Sequence, residues 1–309
     1  MLMITKEEIK KLLIDNDALF KNIYVIEQKF NILPDNKNHI GASIDYKHLK
    51  ECREGFLDEL YDTIVEWVYS TEKYKKLVKE IKARKSKTDS AIHSEINRDA
   101  HLKFRKSRSE LIVQGQIGEL ILFHFLQKVY SAVPILRKMV IKTSPKHEVF
   151  GADAIHYTVE DDKNIIYLGE SKAYTSKYKF NEAFEDALGS IINTYENLEK
   201  ELRLYIHEDF LDSKMCDVAN AYIDNTLSPV EIRLVNLIMY NETKKIDISI
   251  GESEIREQIK KIIEDRFSNF DNSKIDVKTN PILKGITYIV FPIWEFGKLA
   301  QEFSDLIGG

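Results

Sequence analysis

The sequence predicts an α/β fold whose core runs helix, three-stranded antiparallel meander, helix, strand, preceded by a mostly helical N-terminal region. Apolar residues recur at three- and four-residue spacing over much of 5–99, again over 109–130, and again over about 181–207. That is the repeat of a helix with one buried face. Apolar runs of strand length stand at 135–141, 151–159, 165–173, 233–240 and 286–293. Beyond residue 109 the two patterns alternate, which is the order of a layered α/β domain.

In the N-terminal part, Phe56, Leu57, Leu60, Ile64, Trp67 and Val68 trace the clearest helical stripe, and 23–32 is the segment expected to be a strand. The polar stretch KSKTDSAIHS at 85–94 reads as a loop or linker. It sets an expected boundary between an N-terminal region, 1–94, with a partner-binding or regulatory role, and a second domain, 95–309. A chain of 309 residues that is 43% hydrophobic can fill one large core or two smaller ones.

The second part opens with an amphipathic helix over 109–130, which can bury Leu111, Ile117, Leu120, Ile121, Phe125 and Leu126. Pro134 and the run 135–141 predict a strand, closed by a polar turn through Ser144, Pro145 and Lys146. GADAIHYTV at 151–159 and IIYLGESKA at 165–173 flank the charged tetrad Glu160, Asp161, Asp162 and Lys163, the pattern of an antiparallel hairpin. A long helix, an acidic connection over 207–224, a strand at 233–240, a helix at 252–266, a strand at 286–293 and a terminal helix complete the order.

Composition narrows the function classes. Cys52 and Cys216 lie far apart with no ligand-like spacing, which argues against a disulfide framework or a zinc site and for reduced, intracellular thiols. The opening MLMITKEEIKKLLIDND mixes charge with apolar residues too early for a signal peptide, and no apolar run approaches membrane-span length. A soluble, cytoplasmic protein with no membrane contact is expected. Net charge is −5, yet 73–108 holds 13 Lys or Arg against 4 Asp or Glu, a local balance of +9. Such a segment either tracks phosphates or forms a solvated helix face. The acidic 207–224 would repel DNA, so it faces away from any duplex or towards a protein partner.

Residues two apart on a strand share a face, so Glu170 and Lys172 project together, and the hairpin brings Asp153, at the start of one strand, towards Glu170 near the end of the other. Two converging carboxylates suit Mg2+ or Mn2+, hard cations that prefer oxygen, with the Ser171 backbone carbonyl as a further ligand. A neighbouring ammonium can then stabilise charge developing on a phosphate. Glu119, in the middle of the preceding helix and directly after Gly118, could add a third carboxylate. Glu-x-Lys spacing is common here, at Glu8/Lys10, Glu27/Lys29, Glu80/Lys82 and Glu242/Lys244. Its apolar strand and the partner Asp153 set Glu170/Lys172 apart, against the alternative of a structural ion pair. His156 points away from Asp153 by strand parity and reads as a hydrogen-bonded structural residue. Tyr174, Lys177 and Tyr178 could stack on or bond to a nucleic-acid backbone, or simply pack the loop.

GE at Gly118 and Glu119, GADAIH from Gly151 and GESK from Gly169 together resemble the PD-(D/E)xK nuclease superfamily. More narrowly, over about 109–293, they resemble the HamA family, the effector subunits of the Hachiman antiphage defence system. The resemblance implies a restriction-endonuclease-like core, Mg2+-dependent cleavage of DNA and a partner helicase, HamB, that restrains the nuclease. It assigns Asp153 and Glu170 as metal carboxylates, Lys172 as the catalytic lysine and Glu119 as the helix glutamate. Ala152 stands where the motif has proline. Two other readings stay open: a non-catalytic nuclease-fold module that docks a helicase, and a nuclease directed at RNA.

Overall fold

The computed structural model describes residues 4–105, 110–136, 151–175, 180–205 and 212–308. The first helix, α1 (Lys6–Leu12), starts at a capping box in which the Thr5 hydroxyl accepts from the Glu8 N–H and the Glu8 carboxylate accepts from the Thr5 N–H. After α2 (Asp17–Phe20) come β1 (Ile23–Gln28) and β2 (His39–Ile44), an antiparallel pair in register from Ile23 opposite Ile44 to Gln28 opposite His39. The strand expected over 23–32 therefore ends four residues earlier, and β2 is a strand the periodicity did not announce. A small separate hairpin, β3 (Tyr46–Lys47) with β4 (Lys50–Glu51), follows.

The helical stripe of the N-terminal part resolves into α3 (Arg53–Asp62) and α4 (Ile64–Val68), which bury Phe56, Leu57, Leu60, Ile64, Trp67 and Val68. Two longer helices come next, α5 (Thr71–Arg84) and α6 (Asp89–Arg105). The stretch 85–94 is thus a loop only over 85–88. From Asp89 onward it is helix, because Ile92 and Ile96 repeat at helical spacing and are buried at 0% and 1% exposure. Residue 94 falls inside α6. Some of the positive charge of 73–108 is neutralised locally, since Lys82 pairs with Asp89 and both Lys85 and Lys87 pair with Glu95. Residues 106–108 of that segment lie outside the described residues.

The rest follows the expected order: α7 (Glu110–Tyr130), β5 (Val133–Leu136), β6 (Ala154–Glu160), β7 (Lys163–Tyr174), α8 (Phe180–Tyr205), α9 (Ser213–Ile223), β8 (Val230–Glu242), α10 (Glu252–Ser268), β9 (Ile286–Trp294) and α11 (Phe296–Leu306). The short helix α9, inside the acidic connection, was not anticipated; it buries Met215, Val218, Ala219, Ala221 and Ile223. The expected strand 135–141 is seen only as far as Leu136, and the turn at Ser144, Pro145 and Lys146 lies outside the described residues. Asp161 and Asp162 turn the β6–β7 hairpin with φ of 47° and 59°, the positive pair of a type I′ turn between Glu160 and Lys163.

All the strands except β3 and β4 join one mixed sheet in the order β1-β2-β9-β8-β7-β6-β5. β5, β6 and β7 form the antiparallel meander, whereas β7, β8, β9 and β2 are parallel neighbours. Parallel neighbours need crossovers, and α8 with α9, then α10, supply them. The strands at the centre are buried on both faces, which is why 165–168 and 286–293 read as unbroken apolar runs rather than alternating ones. Ile155, Leu168, Leu234 and Tyr288 pack on one face beneath α1, α8, α9 and α10. Ala154, Tyr167, Val235 and Phe291 pack on the other beneath α3, α4, α6, α7 and α11. Because β1 and β2 extend the sheet beyond β9, residues on both sides of position 94 share this sheet and both cores.

Candidate active site

Strand register builds the site. Ala154 of β6 pairs with Gly169 of β7, so the next step outward sets Asp153 opposite Glu170. Glu170 lies on the α8 side of the sheet, in line with Ile166 and Leu168, and Lys172 follows two residues later on the same side. The Lys172 ammonium donates to Glu170 Oε1 at 2.9 Å. The Glu170 side chain is 5% exposed and that of Lys172 is 26% exposed, so the pair sits where the sheet opens towards solvent. Asp153 is held by β7 itself: the Ser171 N–H donates to Asp153 Oδ2 at 2.9 Å, and the Ser171 hydroxyl reaches the same oxygen at 3.4 Å. A strand residue projects its N–H and C=O to the same edge, so the Ser171 carbonyl also lies on the Asp153 side.

The backbone ahead of Asp153 has its own anchor. The Glu201 carboxylate on α8 accepts the Ala152 N–H at 3.1 Å. Gly151 has φ 142°, and a Cβ there would stand 2.0 Å from Glu201 Oε1, so conformation and space both demand glycine at the head of GAD. Nothing in the sequence pairs Glu201 with Gly151, 50 positions apart; only the packing of α8 does.

α8 adds more that the sequence did not disclose. Ser190 hydrogen-bonds to the Glu170 carboxylate. One turn earlier Asp186 accepts from the Tyr174 hydroxyl at 2.8 Å and its charge also acts on Lys172. The i, i+4 spacing of Asp186 and Ser190 was the available signal. Tyr174 is therefore tethered at the end of β7; Lys177 and Tyr178 lie outside the described residues.

Glu119 is buried at 8% exposure on α7, the helix on the other face of the sheet. Its neighbour Gly118 lies against that face, where a Cβ would stand 3.0 Å from Ser171 Oγ. Among the described residues no three His, Cys, Asp or Glu side chains gather as a ligand cluster. Asp153 and Glu170 are the two carboxylates that the β6–β7 register sets face to face. His156, 1% exposed, donates from Nδ1 to the Ala132 carbonyl at 2.9 Å and meets the edge of Phe123, a structural role.

Electrostatically the site is short of positive charge. Burial first, and then the facing Asp153 carboxylate, push the Glu170 carboxyl up to about 7, even though Lys172 and Ser190 oppose the shift. For Lys172, burial lowers the pKa, but the Glu170, Asp153 and Asp186 carboxylates outweigh it and raise it overall, which keeps the ammonium charged. Glu170 Oε2 is buried without a hydrogen-bond partner. An unsatisfied carboxylate oxygen beside a second carboxylate is an all-oxygen donor set, which fits a divalent cation such as Mg2+ or Mn2+.

Two comparisons bear on identity. No curated protein matches the chain. A family model described as HamA matches residues 17–307, so the likeness takes in β1, β2 and the helices α2 to α6 and is not confined to 109–293. Also, among the described residues, no helix is long and apolar enough to cross a membrane. With the family matched over the whole seven-stranded sheet, and with Asp153, Glu170 and Lys172 of this chain's GAD and GESK segments standing together, the chain belongs to the HamA family of Hachiman antiphage defence components.

Proposed function

We propose that this protein is a metal-dependent DNA endonuclease with a restriction-endonuclease-like core, the effector of an antiphage defence complex restrained by a HamB-type helicase. The observation that carries the reading is the placement of Asp153 opposite Glu170 with Lys172 on the same face. Asp153, Glu170 and the Ser171 carbonyl would hold Mg2+ or Mn2+. When bound, such a cation polarises a scissile phosphate and lowers the pKa of a coordinated water.

The chain's own residues do the rest. Ser171 fixes the orientation of Asp153 through its N–H, and Lys172 and Ser190 fix Glu170. Lys172, held as an ammonium, stabilises the negative charge that grows on the phosphate oxygens and is not a proton acceptor. Restraint by a partner suits a nuclease that would otherwise threaten its host, since binding shifts the population away from the active form.

The test is plasmid cleavage by the purified chain, alone and with its partner helicase, in Mg2+ and in EDTA. Cutting is expected in Mg2+ only, and Lys172→Ala should slow it by about a hundredfold or more without unfolding the protein. Cutting that survives both EDTA and Lys172→Ala would place the chemistry elsewhere. Cleavage of RNA but not of DNA would redirect the substrate.

A further inference from the structure

Behind Glu170 the sheet carries a short polar row. Glu170 of β7 stands beside Asn236 of β8, and Asn236 stands beside Tyr288 of β9, all three in direct register. They share the α8 face, since Leu168, Leu234 and Tyr288 line that core. Asn236 and Tyr288 are each 0% exposed. Yet Asn236 Nδ2, Asn236 Oδ1, the Tyr288 hydroxyl and Glu170 Oε2 are all buried without a hydrogen-bond partner. Leaving one buried polar group unsatisfied costs about 1–3 kcal/mol. Four such atoms on three adjacent side chains, in a row whose Tyr288 ring packs against His39 and Phe184, are therefore not incidental packing.

Their chemistry is complementary. Asn236 offers a donor towards the carboxylate and an acceptor towards the phenol. Burial raises the Tyr288 pKa, so the phenol stays protonated and can donate. A carboxylate that binds a cation is itself hydrogen-bonded from behind, and such partners orient the ligand.

We propose that Asn236 and Tyr288 form a water-mediated relay that positions Glu170: an internal water accepts from the Tyr288 hydroxyl and donates to Asn236 Oδ1, and a second accepts from the Asn236 amide and donates to Glu170 Oε2. Three or four polar atoms around a small polar space are what an ordered internal water requires. Asn236 and Tyr288 are then positioning residues, and their place in the reaction rests on the metal-site reading of Asp153 and Glu170.

The test is Mn2+ titration by calorimetry of the full chain, comparing wild type with Asn236→Leu, Tyr288→Phe, the double variant and Glu170→Gln, with thermal midpoints recorded alongside. Asn236→Leu should weaken Mn2+ binding about 10- to 100-fold while the protein stays folded. Tyr288→Phe should weaken binding less and add nothing in the Asn236→Leu background. A purely structural amide would show the reverse, a lower midpoint with unchanged Mn2+ affinity. If Glu170→Gln loses Mn2+ while Asn236→Leu binds within about twofold of wild type, the relay is wrong and the metal site stands. If Glu170→Gln also binds as wild type does, the metal-site reading fails and the relay with it.

Discussion

Glu170 couples the stability of the site to pH. Its carboxyl, raised from 4.5 to about 7 by burial and by Asp153, binds a proton more tightly in the folded chain than in the unfolded one. Its stabilising contribution is therefore complete below about 4.5 and lost as pH rises through about 7. In the metal-free protein, Glu170→Gln should flatten that part of the profile and raise the urea midpoint relative to wild type at pH 8. An unchanged profile in the variant would mean that Glu170 titrates normally. Divalent cations should respond in the opposite direction, because they compete with the same proton, so Mg2+ affinity climbs as pH rises towards 7.

Local packing explains why β2 escaped the pattern. Its sequence HIGASI has small residues where strands favour branched ones, and the reason is α10. A Cβ at Gly41 would stand 2.8 Å from Ile263 Cγ2 and 3.1 Å from Cδ1, so glycine lets that helix lie close on the strand. Gly41→Val should cost about 1–3 kcal/mol through overpacking, read from urea unfolding. Combined with Ile263→Ala, the two costs should sum to less than their separate values, since the smaller residue relieves the clash. Strict additivity would show that the contact does not limit β2. The β6–β7 hairpin is the contrary case, because two apolar runs flanking a charged tetrad defined both strands and the two-residue turn locally.

Taken whole, the molecule depends on strands from both ends of the chain. β2 pairs with β9 through Ile40 opposite Ile289 and Gly41 opposite Val290, and β1 closes the edge. One core joins Phe56, Trp67 and Phe104 to Phe291, Phe296 and Phe303. Expressing 95–309 alone would strip that core and leave β9 as a long, apolar, unpaired edge, which invites association. The fragment should be insoluble or aggregated, whereas the full chain unfolds cooperatively. A soluble, cooperatively folded 95–309 would contradict this.

Much was legible in the order of residues because helices and strands impress their periods locally. The helix ahead of the meander, the hairpin around Asp161 and Asp162, and the shared face of Glu170 and Lys172 all follow from spacing within about 20 positions. Asp153 was within reach for the same reason, since a tight turn fixes its register against Glu170. Contacts made across long sequence separations left no such trace. Glu201 behind Gly151, Ser190 on Glu170, Asn236 beside Glu170 and Tyr288 beside Asn236 are brought together only when α8 packs on the sheet and β8 and β9 align in parallel. Parallel pairing joins distant segments through crossovers, and no local period records which strand will lie beside which.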